Sequence, residues 1–205
     1  MKTITSIFLY FFIPENLLKK ITPLQYIMNV SNNLDPNLKS KYEKNMKIME
    51  QKIRDNYKKA FFKLLEDKVA AEPPDYEWIT KLYSEIRTKL ISLLKEGSDL
   101  RIEIENCMDI QIFHQQISNK VFKPMDFHKL IAYVLEKCKQ LGSPQRDTET
   151  TNKFNEIFNK MQIKDAQFSD IVPIFIKNAN ECIDMIYEDT QEFHKAFNKF
   201  KDQRS

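Results

Sequence analysis

The stretch LIAYVLEKCKQLGSPQRDTET (residues 130–150) holds the end of one predicted helix and the start of the next. Its first half repeats apolar residues at three- and four-residue spacing, which is typical of an amphipathic helix. Gly142 follows the last apolar residue, where glycine commonly ends a helix. Ser143 and Pro144 then fit the N-cap and the first helical position. The stretch therefore predicts a tight corner between two helices.

The corner also carries a second pattern. Ser143 followed by Pro144 has the form that a proline-directed kinase accepts, so Ser143 is a candidate phosphorylation site. A phosphate at a helix N-cap would be tolerated by the positive end of the helix dipole. Asp147 and Glu149 lie favourably near that same end. Catalytic residues are not indicated here.

The same start and stop signals recur along the chain and predict an all-α fold, an irregular bundle of about six helices, two of them long. Only two glycines occur in 205 residues, which disfavours sheets and phosphate-binding loops. We expect Asp75 to cap the second helix and Gly97 to close it. The predicted helices cover about residues 36–71, 76–96, 99–117, 124–141, 144–161 and 166–201. Residues 1–34 are predicted to form an N-terminal extension and residues 35–205 a helical domain.

Apolar stripes predict which faces are buried. In the first long helix the stripe consists of Tyr42, Met46, Met49, Ile53, Ala60 and Leu64. In the last helix it continues to Phe193, Phe197 and Phe200, which we predict to be core because they share one helical face. An alternative is that these aromatic residues, or Trp78, anchor another protein.

Composition limits the compartment and the partners. A net charge of +3 is too small to indicate nucleic-acid binding. Three cysteines at long spacing (Cys107, Cys138 and Cys182) are predicted to be buried reduced thiols, which indicates a cytoplasmic protein. The apolar run at residues 4–13 is too short to span a bilayer and lacks a signal-peptide cleavage pattern.

Chemical signatures are missing from the sequence. The three histidines lack the Glu-x-x-His and HExxH spacings of metal sites, and no GxGxxG, GxxxxGK or GxSxG pattern occurs. Glu103 and Glu105 are two residues apart on a helix, so they point in different directions and are predicted to be solvated charges. We therefore predict no catalytic, cofactor-binding or metal-binding residues, and no enzyme.

Three sequence blocks resemble the T-complex protein 11 family. They are EPPDYEWITKLYSEIRTKLISLL, LRIEIENCMDIQIFHQQI and LIAYVLEKCKQLGSPQRDTE, and the resemblance covers about residues 50–200. It implies an all-helical, non-enzymatic protein of signal transduction, linked to cAMP-dependent kinase pathways in yeast members and to sperm function and fertility in mammalian ones. Family members are mostly longer, so the domain is expected to be incomplete. The family often has Cys-Ala where this chain has Gly142 and Ser143.

The resemblance leads to a prediction of a helical adaptor or regulator with signalling or cytoskeletal protein partners. Arg101, Arg146 and Asp147 are predicted contact residues, because polar residues inside the family blocks are hard to explain by packing. Trp78 is a further predicted contact, because it lies off the main apolar stripe of its helix. The alternative for the arginines is a structural salt bridge. A second functional hypothesis is a module at the membrane surface, using residues 4–13 and the basic helix at residues 39–63.

Overall fold

The computed structural model describes residues 36–202 of the chain, with side chains from residue 40 to residue 201. Seven α-helices and one 3-10 helix occur in this part, and none of its residues forms a β-strand. The predicted all-α fold with two long helices is confirmed, because α1 has 34 residues and α7 has 35. The elements are α1 (Pro36–Val69), α2 (Tyr76–Ser92), α3 (Asp99–Cys107), α4 (Ile110–Ser118), α5 (Pro124–Leu141), the 3-10 helix (Pro144–Arg146), α6 (Asp147–Met161) and α7 (Phe168–Asp202).

The chain divides into two units between Leu65 and Glu66, inside α1. The described part of the first unit is the α1 segment up to Leu65, where Leu65 is fully buried and Leu64 is 50% exposed. The prediction that Met49, Ala60 and Leu64 belong to the buried stripe is therefore wrong, since all three are exposed. The other members of the predicted stripe are half-buried, and near the end of α1 the buried position is Leu65.

The core of the second unit forms around α7, which packs against α2, α5 and α6. Helix α2 also packs against α3 and α4. Helical periodicity over residues 79–94, 127–141 and 154–161 predicts one buried stripe on each of α2, α5 and α6, and these stripes are confirmed, since their apolar residues are buried or half-buried. Fully buried members include Leu82, Ile86, Leu90, Ile131, Val134, Phe154 and Ile157.

Helix α2 begins as predicted and ends earlier. The Asp75 carboxylate accepts a hydrogen bond of 3.0 Å from the backbone N–H of Trp78, so it caps the helix. The helix ends at Ser92 rather than near Glu96. Gly97 lies in the following turn with a φ of +74°, a left-handed conformation that glycine adopts without strain.

The predicted third helix is two helices, α3 and α4. Met108 leaves the helical conformation, and the Asp109 carboxylate accepts from the backbone N–H groups of Gln111 (2.8 Å) and Ile112 (2.9 Å). An aspartate that caps a new helix therefore interrupts an apolar pattern that otherwise continues. Cys107, at the end of α3, is exposed, so the prediction that it is buried is wrong.

Candidate functional site

The corner between α5 and α6 is built largely as the sequence predicts. Gly142 caps the C-terminus of α5, and its N–H donates to the Cys138 carbonyl at 3.0 Å. Its backbone is extended rather than left-handed. A Cβ atom at this position would lie 2.8 Å from the Cys138 oxygen, so glycine is needed here for space.

Beyond Gly142 the chain forms one 3-10 turn before α6. Ser143 and Pro144 open that turn, and α6 itself begins at Asp147 with Asp147 and Glu149 in its first turn. The Ser143 hydroxyl is half-buried and makes no capping hydrogen bond. Phosphorylation of Ser143 stays a prediction.

Arg146 connects this corner to α7. Its Nη2 and Nε atoms donate to the two carboxylate oxygens of Asp189 at 3.1 and 3.4 Å, and its Nη1 donates to Glu149 at 3.2 Å. These hydrogen bonds, first of all those to Asp189, raise the pKa of Arg146. The two parallel bonds to one carboxylate fix both direction and distance. Arg146 therefore holds the start of α6 against α7.

Asp189 is the last residue of α7 that is half-buried. Every residue from 190 to 201 is exposed, although the helix continues. On this segment Phe193 is 67%, Phe197 59% and Phe200 65% exposed. The prediction that they belong to the core is therefore wrong. We refer to Phe193 and Phe197 as the aromatic face.

The aromatic face keeps an ordered arrangement of rings. The rings of Phe193 and Phe197 stack with centroids 6.3 Å apart and planes at 20°. Two ion pairs fix the part of α7 that precedes it, Asp184 to Lys89 of α2 at 3.1 Å and Asp189 to Arg146. These ion pairs thus hold the start of the segment on which Phe193 and Phe197 are exposed.

The other predicted contact residues lie elsewhere. Arg101 is half-buried in α3 and donates to Glu105 of the same helix at 3.0 Å, so this ion pair does not link two helices. Trp78 lies in the first turn of α2 and is half-buried. Only Arg146 and Asp147 are therefore neighbours, and binding through these four residues stays a prediction.

Helix α5 carries a buried charge that the sequence patterns above do not predict. Lys137 is 3% exposed, and its ammonium group lies 2.7 Å from the Glu103 carboxylate, to which the Tyr133 hydroxyl also donates. Burial is the largest single effect and lowers the pKa of Lys137, but the hydrogen bonds and negative charges of Glu103 and Glu136 together outweigh it, and the net shift is upward. Glu103 is thus part of a helix-linking pair and not only a solvated charge. The signal was present, since Lys137 follows Val134 by three residues on the buried face.

We next consider groups that could bind a metal ion or act as a nucleophile. Within residues 36–202 no cluster of three His, Cys, Asp or Glu side chains could hold a metal ion. Burial raises the pKa of the Cys138 thiol, and burial raises that of Cys182 to about 11. Both thiols are therefore protonated and poorly reactive at neutral pH.

The lengths of the described helices can be compared with the thickness of a bilayer. No helix in the described part of the chain is long and apolar enough to cross a bilayer. The apolar segment at residues 4–13 lies outside the described residues.

Comparisons with known proteins agree on one family. The family model described as T-complex protein 11 matches residues 31–190. The T-complex protein 11 homolog of Homo sapiens is 27% identical over 154 residues, which cover 75% of this chain and 30% of the human protein. The T-complex protein 11 homolog of Rattus norvegicus is 27% identical over 140 residues, which cover 68% of this chain and 24% of the rat protein. T-complex protein 11 of Mus musculus is 26% identical over 149 residues, which cover 72% of this chain and 26% of the mouse protein. The chain thus spans less than a third of the length of these relatives, and no solved structure matches it.

Proposed function

Because the chain belongs to the T-complex protein 11 family, we propose that it is a non-enzymatic helical adaptor or regulator that acts in signal transduction through contacts with other proteins. The observation that supports this proposal is the aromatic face of α7. Large apolar residues exposed together on a folded surface commonly mark protein interaction sites. The proposal therefore places the partner contact at Phe193 and Phe197.

The energetics of such a contact are favourable. Burying a phenylalanine side chain is worth about 1.5–3 kcal/mol, and Phe193 and Phe197 are 67% and 59% exposed before any partner binds. Covering both would contribute about 2–4 kcal/mol, which is the range of an interface hot spot. The anchored start of this segment at Asp189 reduces the ordering cost on binding.

The complementary partner surface is an apolar groove. A helical face that carries spaced aromatic anchors commonly binds in such a groove of its partner.

The finer part of the proposal comes from the family resemblance. We propose that the partners belong to the cAMP-dependent kinase pathway or to the cytoskeleton, in the cytoplasm, and that mammalian members use the same contact in sperm function and fertility. No observation specific to the described residues favours the membrane-surface alternative over this proposal.

Affinity purification followed by mass spectrometry tests the proposal. The full chain, the double variant Phe193→Ala/Phe197→Ala and a control variant Ile102→Ala/Met125→Ala are used as baits. Ile102 and Met125 are 48% and 63% exposed, so the control removes comparable apolar side chains from another surface. We expect kinase-pathway or cytoskeletal proteins to be recovered by the full chain and by the control, and to be lost with the double variant.

Two results would contradict the proposal. Equal recovery with the double variant would show that the aromatic face is not the contact. Recovery of neither class of protein by the full chain would remove the signalling assignment. Circular dichroism of each bait confirms that the substituted chains are folded.

A further inference from the structure

A second surface lies on the unit that begins at Glu66, where the α4–α5 and α6–α7 connections approach the start of α2. It is a groove of about 520 Å³. Its lining includes Phe122, Phe127 and Phe168, with exposed Lys120, Lys123 and Lys164 beside them. We refer to it as the lysine-edged groove. Its volume is within the range of ordinary ligand sites, about 300–1,000 Å³.

The apolar part of the groove is held rigidly by ring contacts. Phe127 packs against Phe122 at 6.0 Å, Phe168 at 5.3 Å and Phe175 at 5.6 Å between ring centroids. Phe122 in turn contacts Phe113 at 5.4 Å. The rings therefore join the groove to the core, and an apolar group that enters meets a preformed surface.

The positive charge of the groove is not neutralised locally. None of its three lysines forms an ion pair with another residue of the described part, and no carboxylate belongs to its lining. Nearby carboxylates have another role: Asp126 accepts from the backbone N–H of Lys123 and Asp170 from that of Gln167, each at 3.0 Å, which caps α5 and α7. The groove thus combines an apolar surface with unpaired cations.

Lys120 occupies a position that disfavours lysine. The backbone N–H of Val121 donates to the Gln116 carbonyl and that of Lys120 to the Ile117 carbonyl, both bonds of a Schellman motif at the end of α4. Lys120 is the left-handed residue of this motif, with a φ of +57°, where glycine is usual. Glycine at position 120 would suit this backbone conformation better than lysine. The requirements of folding therefore do not explain why a cation is present at this position.

From these observations we propose that the lysine-edged groove binds a short acidic and apolar segment of a partner protein. Aromatic or branched side chains of that segment pack against Phe122, Phe127 and Phe168, and its carboxylates pair with Lys120, Lys123 and Lys164. The open form of the groove suits an extended or helical peptide. This site is independent of the aromatic face, and its partner need not be the same protein.

Selection from a random peptide library displayed on phage tests the proposal, with the full chain as bait. We expect enriched peptides that combine aromatic or branched residues with Asp or Glu. A labelled enriched peptide is then titrated by fluorescence anisotropy. We expect the charge reversal Lys123→Glu/Lys164→Glu to weaken its binding at least tenfold, and 0.5 M salt to weaken it as well.

Two further variants separate binding from folding. Lys120→Gly should weaken binding of the peptide severalfold. The melting temperature of the protein should stay the same or rise, because glycine adopts the left-handed backbone conformation without strain. The matched control Lys195→Glu/Lys199→Glu, which reverses two exposed lysines of α7, should leave peptide binding unchanged.

Three outcomes would overturn the proposal. One is a selection without acidic peptides. Another is equal loss of binding with the α7 control, which would indicate a general charge effect. The third is a combination of two results: decanoate displaces the peptide at concentrations at which it forms no micelles, and Lys123→Glu/Lys164→Glu has no effect on peptide binding. This combination would assign the groove to an acyl chain.

Discussion

The substitutions Ile183→Ala and Phe197→Ala on one helix should have very different effects on stability. Both residues lie on the apolar stripe of α7, yet Ile183 is fully buried and Phe197 is 59% exposed. Sequence periodicity assigns both to the core. The structure predicts that only the first substitution lowers the free energy of unfolding.

The size of each effect follows from the exposure of the side chain. Ile183→Ala removes three buried carbons at about 0.8 kcal/mol each, or about 2.4 kcal/mol. The cavity that remains raises the loss to about 3–4 kcal/mol. Phe197→Ala removes a side chain that is mostly in water, and alanine favours the helix by about 0.5 kcal/mol. The net change there should stay within about 0.5 kcal/mol.

Urea denaturation followed by circular dichroism at 222 nm measures both values on the full chain. In thermal melts, Ile183→Ala should lower the midpoint by about 10 °C, because 1 kcal/mol corresponds to about 2–4 °C at this length. A loss of more than about 1.5 kcal/mol for Phe197→Ala would refute the reasoning, since it would mean that the aromatic face is packed in the folded chain. The proposed partner contact would then fail with it.

Three other predictions concern the second unit. Burial raises the pKa of Glu85 from 4.5 to about 7, so the folded state retains a proton that the unfolded chain releases, and stability falls as pH rises between these values. Glu85→Gln should therefore raise the free energy of unfolding by on the order of 1 kcal/mol at pH 8, after solvent screening, and should leave it unchanged at pH 4. Equal urea midpoints of the variant and the original chain at pH 8 would contradict this. Gly142→Ala should lower the free energy of unfolding by about 1–2 kcal/mol, because the added Cβ meets the Cys138 carbonyl. Gly97→Asn should lower it by less than about 0.5 kcal/mol, because asparagine tolerates a left-handed backbone. Similar decreases of the melting temperature for both variants would show that the two glycines share one role. Arg146→Lys keeps the charge but loses the paired hydrogen bonds, so amide hydrogen exchange at the start of α6 should become faster, and unchanged exchange would count against the anchoring role.

Local signals identified most helix boundaries. Proline at the start of α5, Asp75 before α2 and glycine after α5 act through the backbone of a few neighbouring residues, so they can be read without knowledge of the partners. The break between α3 and α4 was missed because Asp109 can either continue a helix or cap a new one. Only the surrounding packing decides between these possibilities.

The interpretation of charged residues depended more on the tertiary structure. Arg146 was predicted as a partner contact, and the structure pairs it with Asp189, 43 positions away in the chain. Lys137 was not singled out, because its pairing with Glu103 requires α3 and α5 to lie side by side. Such pairs join distant segments, so spacing within one helix does not predict them.

The sequence by itself determined the all-α class, the two long helices and the faces that α2, α5 and α6 bury, because helical periodicity is a local property. The tertiary structure decided where burial stops along α7, and so separated Ile183 in the core from Phe193 and Phe197 in solvent. It also brought two helix connections together into the lysine-edged groove. The physical reason is that an apolar stripe states only that a face can be buried, whereas its exposure depends on whether another helix extends far enough to cover it.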